Sequence, residues 1–478
     1  MTSPRSAPPR HVVVVGGGIA GLAAAYALTR ERPDLAVTVL EASSAVGGKL
    51  LRAEVGGVTV DVGAEAMLNR RPEAVALARD AGLTDDLVHP GTITANLWSR
   101  GAMHPMPRTV MGVPTDARAL AESGVISKSG LARAALDSVL PATVLEGRDT
   151  SVGALIEERF GKEVVDRLVE PLLGGVYAGH ARELSARATV PQVVALLDQD
   201  RSLLKAAAGA ARATSDVPVF AGLLGGVGRL PAAVVGAGDF VVRTDATVRH
   251  LAARAEGGWN LVVGSTRAPE VVQADAVVLA TPARPTARLL SEVAPGAALD
   301  LARIEYASMA VVTLAFRARD FPEVEGSGFL VPPVDKRRIK AATYSFAKWD
   351  WVRQAGRGAR TEDDLLLMRC SLGRHREEHT LQAPDEELVQ VALEDLADAI
   401  GLSVRPVDSH VQRWGGALPQ YAVGHVDRVH QIRAGVAEHR GLAVCGAAYD
   451  GLGIPACIAS AGTAVAQVLA TLPAPGAE

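Results

Sequence analysis

The run VVVVGGGIAGLAAAYAL at residues 12–28, followed by VTVLEAS at 37–43, restricts this chain more than any other feature. Val12 to Val15 predict a buried strand, and Gly16, Gly17 and Gly18 turn it into a helix that begins near Ile19 and Ala20. In the pattern Gly16-x-Gly18-x-x-Gly21, the first glycine permits the tight turn. The second lets the backbone approach a pyrophosphate, which rests on the positive helix N-terminus, and the third lets helix and strand pack closely. Val37 to Leu40 predict the next strand. Glu41 at its end, followed by Ala42, is placed to hold the hydroxyls of an adenosine ribose. A glycine triplet alone is a weak signal. Strand, turn, helix, strand and acid in this order predict a dinucleotide site, and a merely Gly-rich turn leaves Glu41 unexplained.

The chain has 478 residues, which at roughly 150 per domain suggests about three units. A net charge of −4 argues against nucleic-acid binding through global charge, so an anionic ligand needs local arginines. The three cysteines, Cys370, Cys445 and Cys457, are odd in number and lack zinc-site spacing. Reduced thiols and a cytoplasmic location are expected. The histidines show no ligand spacing, so no metal is expected. Residues 1–10 contain no signal-peptide apolar region, and the apolar run 12–28 is too short and Gly-rich for a membrane span. Peripheral membrane contact stays open.

Further along, Gly56-Gly57 reads as a hairpin turn, and Pro72 suits the first turn of a helix running to about Gly82. Val152, Leu155, Ile156 and Phe160 have helical spacing with one buried face, continued by Val164, Val165, Leu168, Val169 and Leu172. Val271 to Ala280 reads as one buried strand. Leu442 to Cys445 is another, opening into a second Gly-rich strand-to-helix junction. The expected fold is α/β: a discontinuous Rossmann-type nucleotide-binding domain (1–88, 213–295 and 437–478). Inserted in it are a mixed-sheet substrate domain (89–115 and 296–436) and a helical subdomain (116–212).

Several segments carry a family resemblance. Gly47-Gly48-Lys49 after Glu41 resembles the extended FAD motif of amine-oxidase-type flavoproteins. The stretch Gly446-Ala447-Ala448-Tyr449-Asp450-Gly451-Leu452-Gly453-Ile454-Pro455, continuing into Ala-Cys-Ile, resembles the C-terminal FAD segment of the porphyrinogen oxidases of heme biosynthesis. Pro171 to Gly179, His104 to Pro107 and Trp414 to Tyr421 are similar to segments of the same family, and the resemblance is nearest to its soluble bacterial coproporphyrinogen III oxidases. It implies FAD, with the diphosphate at Gly16 to Gly21 and the ribose at Glu41. Lys49 and Gly63, Ala64, Glu65 and Ala66 would lie along the cofactor. Val248 would meet the adenine through its backbone, Trp414 would lie near the flavin, and Gly453, Ile454 and Pro455 would lie at its pyrimidine end. The implied reaction takes six electrons from coproporphyrinogen III in three two-electron cycles, with O2 as acceptor and hydrogen peroxide as product. A ferrochelatase is an expected transient partner. No acid–base residue is assigned.

Other candidates carry two readings. Lys49 is a cofactor contact or a solvated charge, and the preceding Gly-Gly favours contact. Asp61 orients the cofactor loop or caps its own turn, and the turn is preferred. Glu65 is divided evenly between a cofactor-loop contact and surface. Arg70 and Arg71 bind propionate or are surface charge; Arg71 is preferred, with Arg100 and Lys340 as weaker candidates. Tyr177 lines a substrate cleft or sits in the core. Cys457 and Cys370 read as packed rather than redox-active. Ser371 stands where some members of the resembled group carry tyrosine, which weakens a substrate role there. Three alternatives remain: a protoporphyrinogen IX oxidase, a flavin amine oxidase, and a non-catalytic FAD- and porphyrin-binding scaffold.

Overall fold

Five short strands, buried in the middle and exposed at the Val241 edge, build the central parallel sheet, in the order Val241–Arg243, Ala36–Leu40, His11–Val15, Ala276–Leu279 and Leu442–Val444. The computed structural model describes residues 9–212, 217–359 and 363–474. Most of the N-terminal segment inspected above for a leader, residues 1–8, therefore lies outside the described residues. Parallel sheets are covered on both faces, and successive side chains of the first strand show how. Val12 and Val14 join the helices Ile19–Glu31 and Ile454–Leu469 in one core. Val13 and Val15 point the other way, into a second core with Leu251, Leu261, Leu290 and Val429. That second core is roofed by the antiparallel meander Val248–Ala253, Trp259–Ser265 and Ala268–Ala274.

The run Val271 to Ala280 is not one strand. Ala268–Ala274 is the mostly exposed edge of the meander, and Ala276–Leu279 belongs to the buried parallel sheet. Asp275 separates them: its carboxylate accepts from the His11 amide at 2.7 Å and pairs with Arg10 at 3.3 Å. Gly56 and Gly57 form the hairpin turn between Arg52–Val55 and Val58–Asp61, and the helix at Pro72 runs to Asp80.

A second, seven-stranded mixed sheet has the order Asp408–Pro419, Tyr306–Arg317, Leu365–Leu372, Ile339–Thr343, Gly328–Leu330, Asn96–Ser99 and Ala102–Pro105. One of its faces, with Ala310, Val312, Cys370 and Leu372, packs on the helix Asp385–Ile400. The opposite face bears on the site. Helices dominate residues 117–212, and Val152, Leu155, Ile156 and Phe160 are buried together as their spacing requires. The helix through Leu168 contains a π-helical turn at Val165–Val169. Among the described residues, no helix is long and apolar enough to cross a membrane.

Candidate functional site

The glycine turn is built as its spacing demands. Gly16 has φ +109°, and its amide donates to Leu40 O at 2.8 Å. A Cβ on Gly21 would lie 1.9 Å from Gly16 O, so only glycine allows this helix to pack on this strand. A Cβ on Gly18 would meet nothing within 4 Å. Gly18 also caps the helix without a side-chain hydrogen bond, which leaves the first-turn amides around Ile19 and Ala20 free for a ligand. Glu41 Oε2 accepts from Gly17 N at 2.6 Å, and its Oε1 accepts from Ser43 N and Oγ at 2.8 and 2.7 Å. Ala42 beside it is exposed. The amide of Ala246 donates to Glu41 O at 2.8 Å, which brings Val248, two residues on, to the same end of the sheet.

Gly47-Gly48-Lys49 folds onto this turn, with Gly47 N donating to Gly17 O at 2.8 Å. Lys49 O then accepts from Ala64 N at 3.1 Å, and a Cβ on Gly63 would stand 2.0 Å from Lys49 O and 3.0 Å from Trp414 Cζ2. Trp414 Nε1 donates to Val62 O at 3.1 Å. Trp414 therefore lies against the loop at 61–66, where the C-terminal half of the chain meets the glycine turn. Ala66 packs beside the small core containing Val55 and Trp349. The Lys49 ammonium has no acidic partner among the described residues, and burial lowers its pKa.

Two readings of this loop need correction. Asp61 does not cap its own turn. Its buried carboxylate accepts from the amides of Val227 and Gly228, each at 2.9 Å, and desolvation pushes its pKa up to about 7. Glu65 is not a surface residue. It pairs with Lys348 at 2.6 Å and Arg369 at 3.4 Å, and its side chain is only 11% exposed. Burial alone would raise its pKa, but Arg369 and Lys348 outweigh burial and hold it down at about 2. Arg369 also donates to Gly63 O at 3.0 Å and to Asp61 O at 3.3 Å. These two cations, absent from the sequence reading, tie the loop to the seven-stranded sheet through Arg369 and to the helix Ser345–Lys348.

At the other junction, Gly453 caps the helix Ile454–Leu469 without a side-chain bond, and Pro455 occupies its first turn. Cys457 is buried, with Sγ 3.7 Å from Leu452 O, and burial pushes its thiol up to about 11, which suits packing rather than redox chemistry. Burial raises Cys370 and Cys445 as well. Arg71 caps the helix Pro72–Asp80 and pairs with Glu73 at 2.7 Å, its side chain 41% exposed. Its charge is felt at Cys457, so it stands near the start of the C-terminal helix, while Arg70 is exposed. Arg100 is drawn elsewhere, toward Glu163 at 3.8 Å and Val125 O. Tyr177 is packed: its ring lies 5.7 Å from that of Tyr421, and burial pushes its hydroxyl up to about 12. On the same helix it is Val176 that is exposed. Among the described residues, no cluster of His, Cys, Asp or Glu could hold a metal ion.

A split parallel sheet with a glycine turn at one junction and an uncapped helix at the other, joined to a large mixed sheet, defines a flavoprotein oxidoreductase fold. The family of flavin containing amine oxidoreductases matches residues 19–469. Coproporphyrinogen III oxidase of Mycobacterium tuberculosis (strain ATCC 25618 / H37Rv) is 39% identical over 98% of this chain and 99% of its own. The Bacillus subtilis (strain 168) coproporphyrinogen III oxidase is 31% identical, covering 97% of this chain and 98% of its own. A crystal structure from Exiguobacterium sp. 255-15, provisionally described as a protoporphyrinogen oxidase, superposes with a TM-score of 0.84. It is 31% identical and covers 96% of this chain and 98% of its own. The chain belongs to the coproporphyrinogen III oxidase family of the flavin containing amine oxidoreductases.

Proposed function

We propose that this chain oxidises coproporphyrinogen III to coproporphyrin III in heme biosynthesis, with bound FAD and with O2 as the final acceptor. The observation that carries the reading is the open space over Gly18 at an uncapped helix N-terminus, against which the Gly47-Gly48-Lys49 backbone folds. That space suits a diphosphate, because free amides and a helix dipole converge on it. Gly16 to Gly21 and Lys49 would hold the diphosphate, Glu41 the ribose and the Val248 backbone the adenine. Gly63, Ala64 and Trp414 would border the flavin, with the amides of Gly453 and Ile454 at its pyrimidine end. When bound, FAD supplies a two-electron acceptor, so a porphyrinogen needs three rounds.

The protein's own work is positional. The helix N-terminus at Gly453 favours negative charge beside it, Arg71 offers a guanidinium to a propionate, and the half-buried sheet face around Trp414 shields the macrocycle from water. A ferrochelatase is the expected taker of the product. The deciding experiment is aerobic porphyrin fluorescence from flavin-loaded protein given coproporphyrinogen III and protoporphyrinogen IX in parallel. Faster signal from coproporphyrinogen III is expected. Preference for protoporphyrinogen IX, or no signal above autoxidation from either, overturns the assignment. For Arg71→Ala, the loss of a charged hydrogen bond worth ~1.5–3 kcal/mol is expected to raise the KM for porphyrinogen by about ten-fold or more. FAD content should stay full, and an unchanged KM removes Arg71 from the substrate site.

A further inference from the structure

Lys340 is 1% exposed, yet among the described residues it has no carboxylate partner; its one polar neighbour is Met309 Sδ at 3.8 Å. Arg374 nearby is 4% exposed, donates one Nη to Val331 O at 3.2 Å and leaves Nε without a partner. Val331 N donates in turn to Lys340 O at 2.9 Å, so a single residue ties the two cation-bearing segments together. Glu170 and Glu377 are felt at Arg374 without bonding it, and Glu170 lies 3.6 Å from Arg182 instead. Cations buried without an anion are costly to keep, so such a pair needs a reason.

The backbone supplies one. Ile339 pairs with Leu372 and Ala341 with Ser371, which leaves Lys340 as the extra residue of a β-bulge. Bulges re-aim side chains, and this one directs Lys340 across the small Ser371 to Met309. Met309 pairs in register with Trp414, on the sheet face away from the Ala310–Cys370 core. Along that face Met309, Ser371, Ala341 and Trp414 are all half-buried. The ammonium thus sits immediately beneath the partly open floor that runs from Trp414.

We propose that Lys340 and Arg374 form a carboxylate slot that takes one propionate of the porphyrinogen, with Met309 as its displaceable cover. This rests on the porphyrinogen oxidase reading above. A thioether on an unbranched chain moves aside readily, and an entering carboxylate supplies a directly bonded anion, which neither cation has among the described residues. Desolvation and the neighbouring Arg374 push the Lys340 pKa down to about 7, and a bound carboxylate would restore its charge.

The test is fluorescence titration of the FAD-loaded protein with coproporphyrin III and with its tetramethyl ester. Wild type is expected to prefer the acid. Lys340→Met, similar in shape but uncharged, should weaken acid binding about ten-fold or more, leave ester binding unchanged and narrow the preference by the same factor. Lys340→Arg should restore most of it. Equal weakening of acid and ester, or none, overturns the slot. If Lys340→Met does not accumulate as flavoprotein, wild type and Lys340→Arg decide: no acid preference in wild type, or in the charge-conserving variant, overturns it. Turnover separates the two claims. Normal coproporphyrinogen III oxidation by wild type with unaltered acid binding in Lys340→Met sinks the slot alone, whereas a wild type without turnover sinks the functional reading beneath it.

Discussion

Gly21→Ala is expected to abolish the folded flavoprotein, whereas Gly18→Ala should keep the fold and lose the cofactor. The two glycines lie three residues apart in one motif and differ in what surrounds them. A methyl on Gly21 would overlap Gly16 O at 1.9 Å and stand 3.2 Å from Ala280 Cβ. The helix Ile19–Glu31 would have to leave its strand, opening a core in which Val12, Val14, Leu22 and Leu28 are fully buried. Such overpacking belongs with the rare substitutions costing more than about 4–5 kcal/mol, a large share of the ~5–15 kcal/mol that holds a typical domain. Gly18 has φ −72° and ψ 174°, ordinary extended backbone, and a methyl there touches no protein atom. Apoprotein stability should therefore stay within about 0.5 kcal/mol of wild type. The methyl would instead occupy the space assigned to the diphosphate. Thermal unfolding of apoprotein and retained FAD after purification separate the cases. Full flavin occupancy in Gly18→Ala contradicts the diphosphate placement, and a wild-type melting temperature in Gly21→Ala contradicts the packing argument.

The legibility of this junction comes from its locality. Turn, helix start and acid lie within about thirty residues, and each residue type has one physical reason to be there. The Glu65 network is the opposite case. Its partner Lys348 is 283 positions away, and Arg369 meets the loop at a separation of 306 to 308. No spacing rule spans such distances, so Glu65 read equally as cofactor contact and surface. The one available signal was Arg369 itself, a lone charge in the otherwise apolar run LLLMRCSL. Charged residues are seldom buried unless paired, so that position demanded an anion. Asp275 was a similar signal: an acid inside VVQADAVVLA marks where two strands part company. The bulge at Lys340 left no trace in its sequence, because register is set by the neighbouring strands.

Arg369→Met should destabilise the protein by about 1.5–3 kcal/mol at neutral pH, since it removes one of the two cations of a buried network and leaves Glu65 with Lys348 alone. Glu65 and Arg369 side chains are only 11% and 17% exposed, so water screens the loss poorly. The same change frees the carbonyls of Asp61 and Gly63 that Arg369 holds, which loosens the loop beside Trp414. The deficit should depend on pH with a definite sign. In wild type the Glu65 pKa is held down at about 2, below the ordinary 4.5, so its contribution is complete above pH 4.5 and is lost as pH falls toward 2. Without Arg369, Lys348 is left as the one cation opposing desolvation, so that pKa rises from about 2 and the variant loses less on taking up a proton. The gap in melting temperature between variant and wild type should therefore narrow as pH falls below about 4.5, leaving a remainder from the lost carbonyl bonds. A gap that stays constant over that range would mean that Arg369 acts through the backbone alone. A gap that widens on acidification would overturn the ion pair as the clamp, and with it the reason Glu65 is buried next to the cofactor loop.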